Sequence, residues 1–124
     1  MFRLKVQDSF SSAHFLRNYE GPCEKLHGHN WKVEVVVEGE HLNELDILID
    51  FKELKKALKE TLKSLDHRLL NDLPYFLEVN PSSERIAQYI FQDLKKKLSL
   101  YTNLRIKEVT VFETEKACAT YFEP

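Results

Sequence analysis

Apolar and polar side chains alternate in short stretches of this chain, which is the pattern of β-strands that are buried on one face. Residues 2–6 place phenylalanine, leucine and valine at every second position, and residues 31–38 do the same with tryptophan and valines. Two further stretches, residues 109–113 and 117–122, are separated by a short polar turn and close the chain. Residues 11–28 show no sustained period and are predicted to form a long loop.

Two longer segments carry apolar residues at spacings of three and four, which predicts amphipathic helices. The apolar positions of the first segment are Phe51, Leu54, Leu58, Leu62 and Leu65. We expect this helix to be capped near Asp50. The second helix is predicted to begin at Ser82 or Ser83, and its apolar positions are Ile86, Ile90, Phe91, Leu94 and Leu98. Residues 71–81 contain two prolines and are predicted to form an irregular connection between the helices.

The order of predicted elements is therefore ββααββ. Adjacent strands joined by hairpins give an antiparallel sheet, and helices of this kind cover one of its faces, so the predicted class is α+β with a four-stranded antiparallel sheet. A chain of 124 residues with 43% hydrophobic content is long enough for one core. We expect a single domain over residues 1–124.

Composition excludes some classes of partner. Eighteen lysines and arginines stand against 20 aspartates and glutamates, so the net charge of −2 does not favour nucleic acid or an anionic membrane. No apolar run approaches the roughly 20 residues that span a bilayer. The chain starts with strand-like alternation in place of a signal peptide, and its two cysteines, Cys23 and Cys118, are too few for a disulfide scaffold. We expect a cytoplasmic protein with free thiols.

The chemistry is concentrated in the stretch GPCEKLHGHNW, residues 21–31. His27 and His29 are two residues apart at the entry to a strand, so their side chains point to the same face. His14 follows the first strand, which neighbours the second, and so brings a third imidazole near. Three histidines with an open position describe a catalytic zinc site. Cys23 leaves two alternatives, because a thiolate is either a fourth ligand that closes a structural zinc site or a catalytic base or nucleophile.

Three other residues are candidates. Asp66 and His67 come at the end of the first predicted helix, where they either line a cavity or simply form a polar helix terminus. Glu113 has the same parity as Val109 and Val111 and is therefore expected on the inward face of its strand. A carboxylate in that place needs a partner or a ligand, unless the strand end is exposed.

Six motifs occur in a fixed order between His14 and Glu113: SAHFL, CEKLHGHNW, IDFKELK, LDHRLLND, NPSSE and VFETEKA. In combination they resemble the 6-pyruvoyl-tetrahydropterin synthase and 6-carboxy-tetrahydropterin synthase family. The resemblance implies the tunnelling fold, or T-fold, in which subunits pair their sheets into a barrel. It also implies a homohexamer made of two trimers, with sites between subunits.

The resemblance assigns a role to each candidate residue. It implies zinc ligands at His14, His27 and His29, a catalytic thiol at Cys23, a proton-relay pair at Asp66 and His67, and a carboxylate at Glu113 that anchors the pterin ring. The cofactor it implies is Zn²⁺. Trp31 stands where the family usually has tyrosine or phenylalanine, which concerns local packing.

The implied substrate is 7,8-dihydroneopterin triphosphate. The compact spacing Cys-x3-His-Gly-His is similar to the carboxy branch, which forms 6-carboxy-5,6,7,8-tetrahydropterin with release of acetaldehyde and triphosphate for queuosine biosynthesis. The pyruvoyl branch, which stops after loss of the triphosphate, is the alternative. A zinc-stapled pterin-binding or assembly module without catalysis is the alternative outside the enzymes.

Overall fold

The computed structural model of the protein describes residues 1–21 and 25–124. The strands are β1 (Phe2–His14), β2 (His27–Gly39), β3 (Arg105–Thr114) and β4 (Ala117–Tyr121), and the helices are α1 (Phe51–Lys63) and α2 (Ser83–Lys97). Two 3-10 turns, Leu70–Asp72 and Pro74–Phe76, lie between the helices. All neighbouring strands are antiparallel, and the sheet order is β1-β2-β3-β4. The predicted α+β class and the order ββααββ are confirmed.

The helix starts agree with the sequence prediction because both are fixed by local hydrogen bonds. The Asp50 side chain accepts a hydrogen bond from the Lys52 backbone N–H at 2.8 Å, which caps α1. The Ser82 hydroxyl accepts one from the Arg85 N–H at 3.2 Å and caps α2. None of the described helices combines the length and the apolar character needed to span a membrane.

The prediction of a loop over residues 11–28 is wrong at both ends. β1 runs on to His14, and β2 already begins at His27, so that residues of the two strands remain paired up to the partners His14 and His27. The inward positions of this extension include Ser12 and His14, which are buried although they are polar. Hydrophobic periodicity therefore fades where the strand itself continues.

One face of the sheet packs against both helices. The inward residues of β2 and β3, Val33, Val35, Val109 and Val111 among them, are fully buried. They meet the apolar stripes of α1 and α2, whose central leucines and isoleucines have no exposed surface. Burying each such side chain contributes roughly 1.5–3 kcal/mol. This core anchors the strand ends that carry the candidate site.

The opposite face of the sheet is polar, and its most buried charge is Glu38. Its carboxylate accepts hydrogen bonds from Arg3 Nε at 3.0 Å and from Arg105 Nε and Nη2 at 2.9 and 2.6 Å. The side chain of Glu38 is only 3% exposed. The guanidinium of Arg105, followed by that of Arg3, lowers the pKa of the Glu38 carboxyl.

We expect Glu38→Gln to lower the thermal unfolding midpoint at pH 7 by several degrees, because two arginines then face each other without a charge between them. Since the pKa of Glu38 is lowered by folding, its contribution is complete above the ordinary pKa of glutamate and is lost as the pH falls through the lowered value. The difference from the parent protein should therefore shrink in acid. Thermal melts at several pH values measure it, with Glu108→Gln as control, since Glu108 lies on the same face without an ion pair in the described part of the chain.

Candidate metal centre and active site

Three histidines meet where β1 ends and β2 begins. His14 is the last residue of β1 and lies directly opposite His27, while His29 lies opposite Ser12. One nitrogen of each ring and one carboxylate oxygen of Glu113 all lie within 4.8 Å of one another. The antiparallel ladder thus brings together residues from two strand ends and from β3, as the sequence prediction of a convergent cluster requires.

The hydrogen bonds of two rings fix which nitrogens face the cluster. His14 Nδ1 lies 2.7 Å from the carbonyl oxygen of Pro81, and His27 Nδ1 lies 2.6 Å from that of Lys25. A carbonyl oxygen only accepts, so in the neutral rings both Nδ1 atoms carry the hydrogen and both Nε2 atoms carry a lone pair. These two Nε2 atoms face each other at 3.0 Å. Two lone pairs at this distance repel unless a cation lies between them.

The third ring points to the same conclusion. Among the buried side-chain nitrogen and oxygen atoms of residues 1–21 and 25–124, His29 Nε2 is the one without a directed hydrogen bond. It lies 3.0 Å from Glu113 Oε1, but the geometry of that contact does not meet the requirements of a hydrogen bond. An orphaned buried nitrogen beside a carboxylate and two lone pairs is the donor set that a metal ion satisfies.

Trp31 forms the floor of this cluster. Its fully buried indole meets His14 and His29 edge to face, with ring centroids 4.8 and 5.1 Å apart. Burial lowers the pKa of His14, and the neighbouring His27 lowers it further, against the opposing effect of the Pro81 carbonyl. Burial also lowers the pKa of His29, against the attraction of Glu113. Both rings are therefore neutral near pH 7, which is the state that binds a metal.

Glu113 lies in β3 next to a register shift between Phe112 and Thr114. Its side chain is on the helix-covered side, as the parity with Val109 and Val111 predicts. The second carboxylate oxygen, Oε2, accepts a hydrogen bond from the Ser83 hydroxyl at 3.3 Å, at the start of α2. The carboxylate thus bridges the histidine cluster and the first turn of a helix.

Asp66 and His67 lie outside this cluster, and their placement corrects the sequence prediction. Helix α1 ends at Lys63, so the pair occupies the turn that follows it. Helical geometry would separate their side chains, but His67 adopts a positive φ of 54°, and its Nδ1 lies 2.9 Å from Asp66 Oδ2. Asp66 Oδ1 also accepts from the Ser11 backbone N–H at 2.9 Å, and this bond, followed by that to His67, lowers the pKa of the Asp66 carboxyl.

A sequence model of the 6-pyruvoyl tetrahydropterin synthase family matches residues 3–124. The chain belongs to this family. It is 38% identical over its whole length to the 6-carboxy-5,6,7,8-tetrahydropterin synthase of Synechocystis sp., of which 95% is covered. It is 36% identical to the dihydroneopterin monophosphate aldolase of Pyrococcus furiosus, over 90% of this chain and 89% of that one. Among solved structures, Caenorhabditis elegans 6-pyruvoyl tetrahydropterin synthase has a TM-score of 0.88 at 31% identity, over 99% of this chain and 96% of that chain.

The comparison with the Caenorhabditis elegans enzyme confirms that this chain has the subunit structure of the tunnelling fold. Assembly into a barrel is a property of several chains and stays a prediction. The roles that the family resemblance gives to His14, His27, His29, Glu113 and the Asp66 pair also stay predictions, although their positions fit those roles. Cys23 lies outside the described residues.

Sequence reasoning did not find three contributors to the site. Two are backbone carbonyls, those of Pro81 and Lys25, whose contacts cannot be predicted from a pattern of side chains. The third is the Ser83 hydroxyl on Glu113. A signal was present for two of these groups, since Pro81 and Ser83 both belong to the motif NPSSE that contributed to the family resemblance.

We expect the metal-free protein to bind one divalent transition-metal ion per chain. His29→Ala should weaken this binding by at least about 100-fold, because it removes a ligand itself, whereas losing a group that only orients a ligand usually costs less. Isothermal titration with zinc measures the affinity. His41→Ala is the matched control, because His41 is exposed and lies beyond Gly39, at the end of β2 opposite to the histidine cluster. Equal affinities of the two variants would contradict the assignment.

Proposed function

We propose that the protein is a zinc-dependent 6-carboxy-5,6,7,8-tetrahydropterin synthase, which converts 7,8-dihydroneopterin triphosphate with release of acetaldehyde and triphosphate. The observation that carries the proposal is the set of three imidazoles whose Nε2 atoms converge without hydrogen-bond donors between them. The name of the Synechocystis relative and the Cys-x3-His-Gly-His spacing support the carboxy branch.

Zinc is the metal that fits these donors best, because neutral imidazole nitrogens with an open position form its usual catalytic site. His14, His27 and His29 would hold the ion. When bound there, it would act as a Lewis acid on the side-chain hydroxyls of the substrate and make the neighbouring protons more acidic.

The proton transfers are assigned to two groups of the chain. Cys23, four residues before His27, is the proposed base as its thiolate. The second group is the pair of Asp66 and His67. When the His67 ring donates Nδ1–H to Asp66, its Nε2 is left free to accept a proton, and 82% of this side chain is exposed. Asp66 keeps this orientation because Ser11 on β1 holds its other oxygen.

Glu113 is the proposed anchor of the pterin ring. A carboxylate accepts two parallel hydrogen bonds from the amino and N–H groups of such a ring, and charge-assisted bonds of this kind are strong and directional. Glu113 Oε1 lies 3.0 Å from His29 Nε2, so a pterin ring bound to this carboxylate would lie beside the proposed metal site. The Ser83 hydroxyl donates to the other carboxylate oxygen, Oε2, at 3.3 Å and so helps to orient the carboxylate.

We also propose that the chain is one domain over residues 1–124, that it works in the cytoplasm in queuosine biosynthesis, and that it forms a homohexamer of two trimers. The sheet supports an assembly, because β1 and β4 are its two edges. Pairing the first half of β1 in one subunit with β4 of the next would satisfy both open edges, since the second half of β1, at Ser11 and Ala13, already binds residues 66–68 of its own chain.

Two other reactions of related enzymes are alternatives. Formation of the 6-pyruvoyl product is the reaction named for the nematode enzyme, and an aldolase on a monophosphate substrate is named for the Pyrococcus relative. A module that only binds pterin or zinc is the alternative without catalysis. The three reactions give different products, and the module without catalysis gives none.

The deciding experiment incubates zinc-loaded protein with 7,8-dihydroneopterin triphosphate and identifies the products by mass spectrometry. Acetaldehyde together with 6-carboxy-5,6,7,8-tetrahydropterin is the expected result. A pyruvoyl product that retains the side-chain carbons would move the protein to the sister branch. If the zinc-loaded protein does not turn over the triphosphate, the proposed substrate is contradicted. The same holds if a parallel incubation shows that only the monophosphate reacts.

We expect Cys23→Ala to reduce turnover by at least about 100-fold, the usual contribution of a positioned base, while the zinc content stays at one ion per chain. The control is Cys118→Ala, which removes the exposed free thiol on β4 and should leave turnover unchanged. Loss of zinc together with lower stability in Cys23→Ala would instead indicate that the cysteine is a structural ligand.

A further inference from the structure

The chain just beyond β1 is held by two asparagine side chains. Asn71 Oδ1 accepts from the Phe15 N–H, and Asn71 Nδ2 donates to the Phe15 carbonyl, both at 3.0 Å. Asn80 does the same for Arg17, at 2.8 and 3.0 Å. Residues 15 and 17 are two apart, as in a strand, so the two amides supply the hydrogen bonds that a neighbouring strand would otherwise make.

We call the contacts of Asn71 and Asn80 with residues 15 and 17 the clamp, and the guanidinium of Arg17 adds two hydrogen bonds to it. Its Nη1 donates to the Val79 carbonyl at 3.2 Å, and its Nη2 donates to the Asn71 carbonyl at 3.1 Å. Together with the asparagine bonds, the segment after β1 and the segment before α2 are joined by hydrogen bonds in both directions. Neither segment shifts along the other without breaking several of them.

This clamp lies directly beside the metal cluster. His14 precedes Phe15, and Pro81 follows Asn80, so the two residues that meet through the Nδ1 bond of 2.7 Å are each next to a clamped residue. His14 is only 2% exposed, so water is a poor substitute for the Pro81 carbonyl at Nδ1. If the Pro81 carbonyl withdrew, the hydrogen could move to Nε2, and that tautomer presents no lone pair to an ion.

We propose that Asn80 is a positioning residue of the metal centre, which holds the Pro81 carbonyl against His14 Nδ1 and so keeps the His14 Nε2 lone pair directed at the ion. This inference rests on the metal site of the proposed function. It also gives the motif NPSSE a physical meaning, since Asn80 binds Arg17 in the segment after β1, Pro81 orients His14, Ser82 caps α2 and Ser83 supports Glu113.

A purely structural role for Asn80 is the competing explanation, and the chain contains a matched control. Asn103 also joins two loop segments through its side-chain amide, since Nδ2 donates to the carbonyls of His41 and Leu48 at 3.1 and 2.9 Å. It lies near Gly39, at the end of β2 opposite to the histidines. Replacing either asparagine with alanine should lower the stability of the protein. Only the change at Asn80 should alter the tautomer of His14.

The test uses metal-free protein with ¹⁵N-labelled histidine, in which the ring nitrogen shifts of His14 report its tautomer, followed by zinc titration. In the parent protein and in Asn103→Ala we expect hydrogen on Nδ1 and equal zinc affinity. In Asn80→Ala we expect a mixture of tautomers and a zinc affinity about 10–100-fold lower, the usual effect of losing an outer partner of a metal ligand.

A parental tautomer or a parental zinc affinity in Asn80→Ala would overturn the inference. If this variant does not fold, Asn80→Asp keeps the acceptor for the Arg17 N–H but loses the donor to its carbonyl, and the same two readouts decide, with a smaller shift expected. A parent protein that binds no zinc would refute the proposed function instead, and the tautomer comparison would still show whether Asn80 positions His14.

Discussion

The arrangement of the site depends on one electrostatic constraint, the approach of two imidazole nitrogens that both carry lone pairs. His14 Nε2 and His27 Nε2 are 3.0 Å apart, and each ring is fixed by a backbone carbonyl at its other nitrogen. The repulsion between them disappears when a cation is shared, and burial favours the neutral form of the His14 ring, which is the form that binds a metal. The cluster is therefore organised for an ion before any substrate arrives.

The rest of the molecule maintains this approach. The β1–β2 ladder sets His14 opposite His27. Trp31 packs edge to face against His14, and β3 brings the Glu113 carboxylate next to His29. On the outer edge of β1, the turn after α1 binds the backbone of Ser11 and also carries the Asp66 and His67 pair. One strand end thus positions the proposed metal ligands and the proposed proton relay relative to each other.

The sequence predicts the elements that depend on local periodicity, and it fails where tertiary contacts replace that signal. Both helices follow from their apolar spacing and caps. The extension of β1 was missed because its buried positions hold Ser12 and His14. Helical periodicity does not predict the contact between Asp66 and His67, which the family resemblance implies, because the contact depends on the positive φ of His67. The Pro81 carbonyl lies 67 residues from His14 along the chain, and although Pro81 belongs to the motif NPSSE, nothing in that motif predicts the contact with His14.

X-ray absorption at the zinc edge tests the central claim most directly, because it counts the atoms around the ion without any substrate. The account predicts three imidazole nitrogens at about 2.0–2.1 Å and a further light donor such as oxygen, as in an open catalytic site. A sulfur neighbour at about 2.3 Å would show that Cys23 closes a structural site, and fewer than three imidazoles would show that the histidine cluster does not hold the ion.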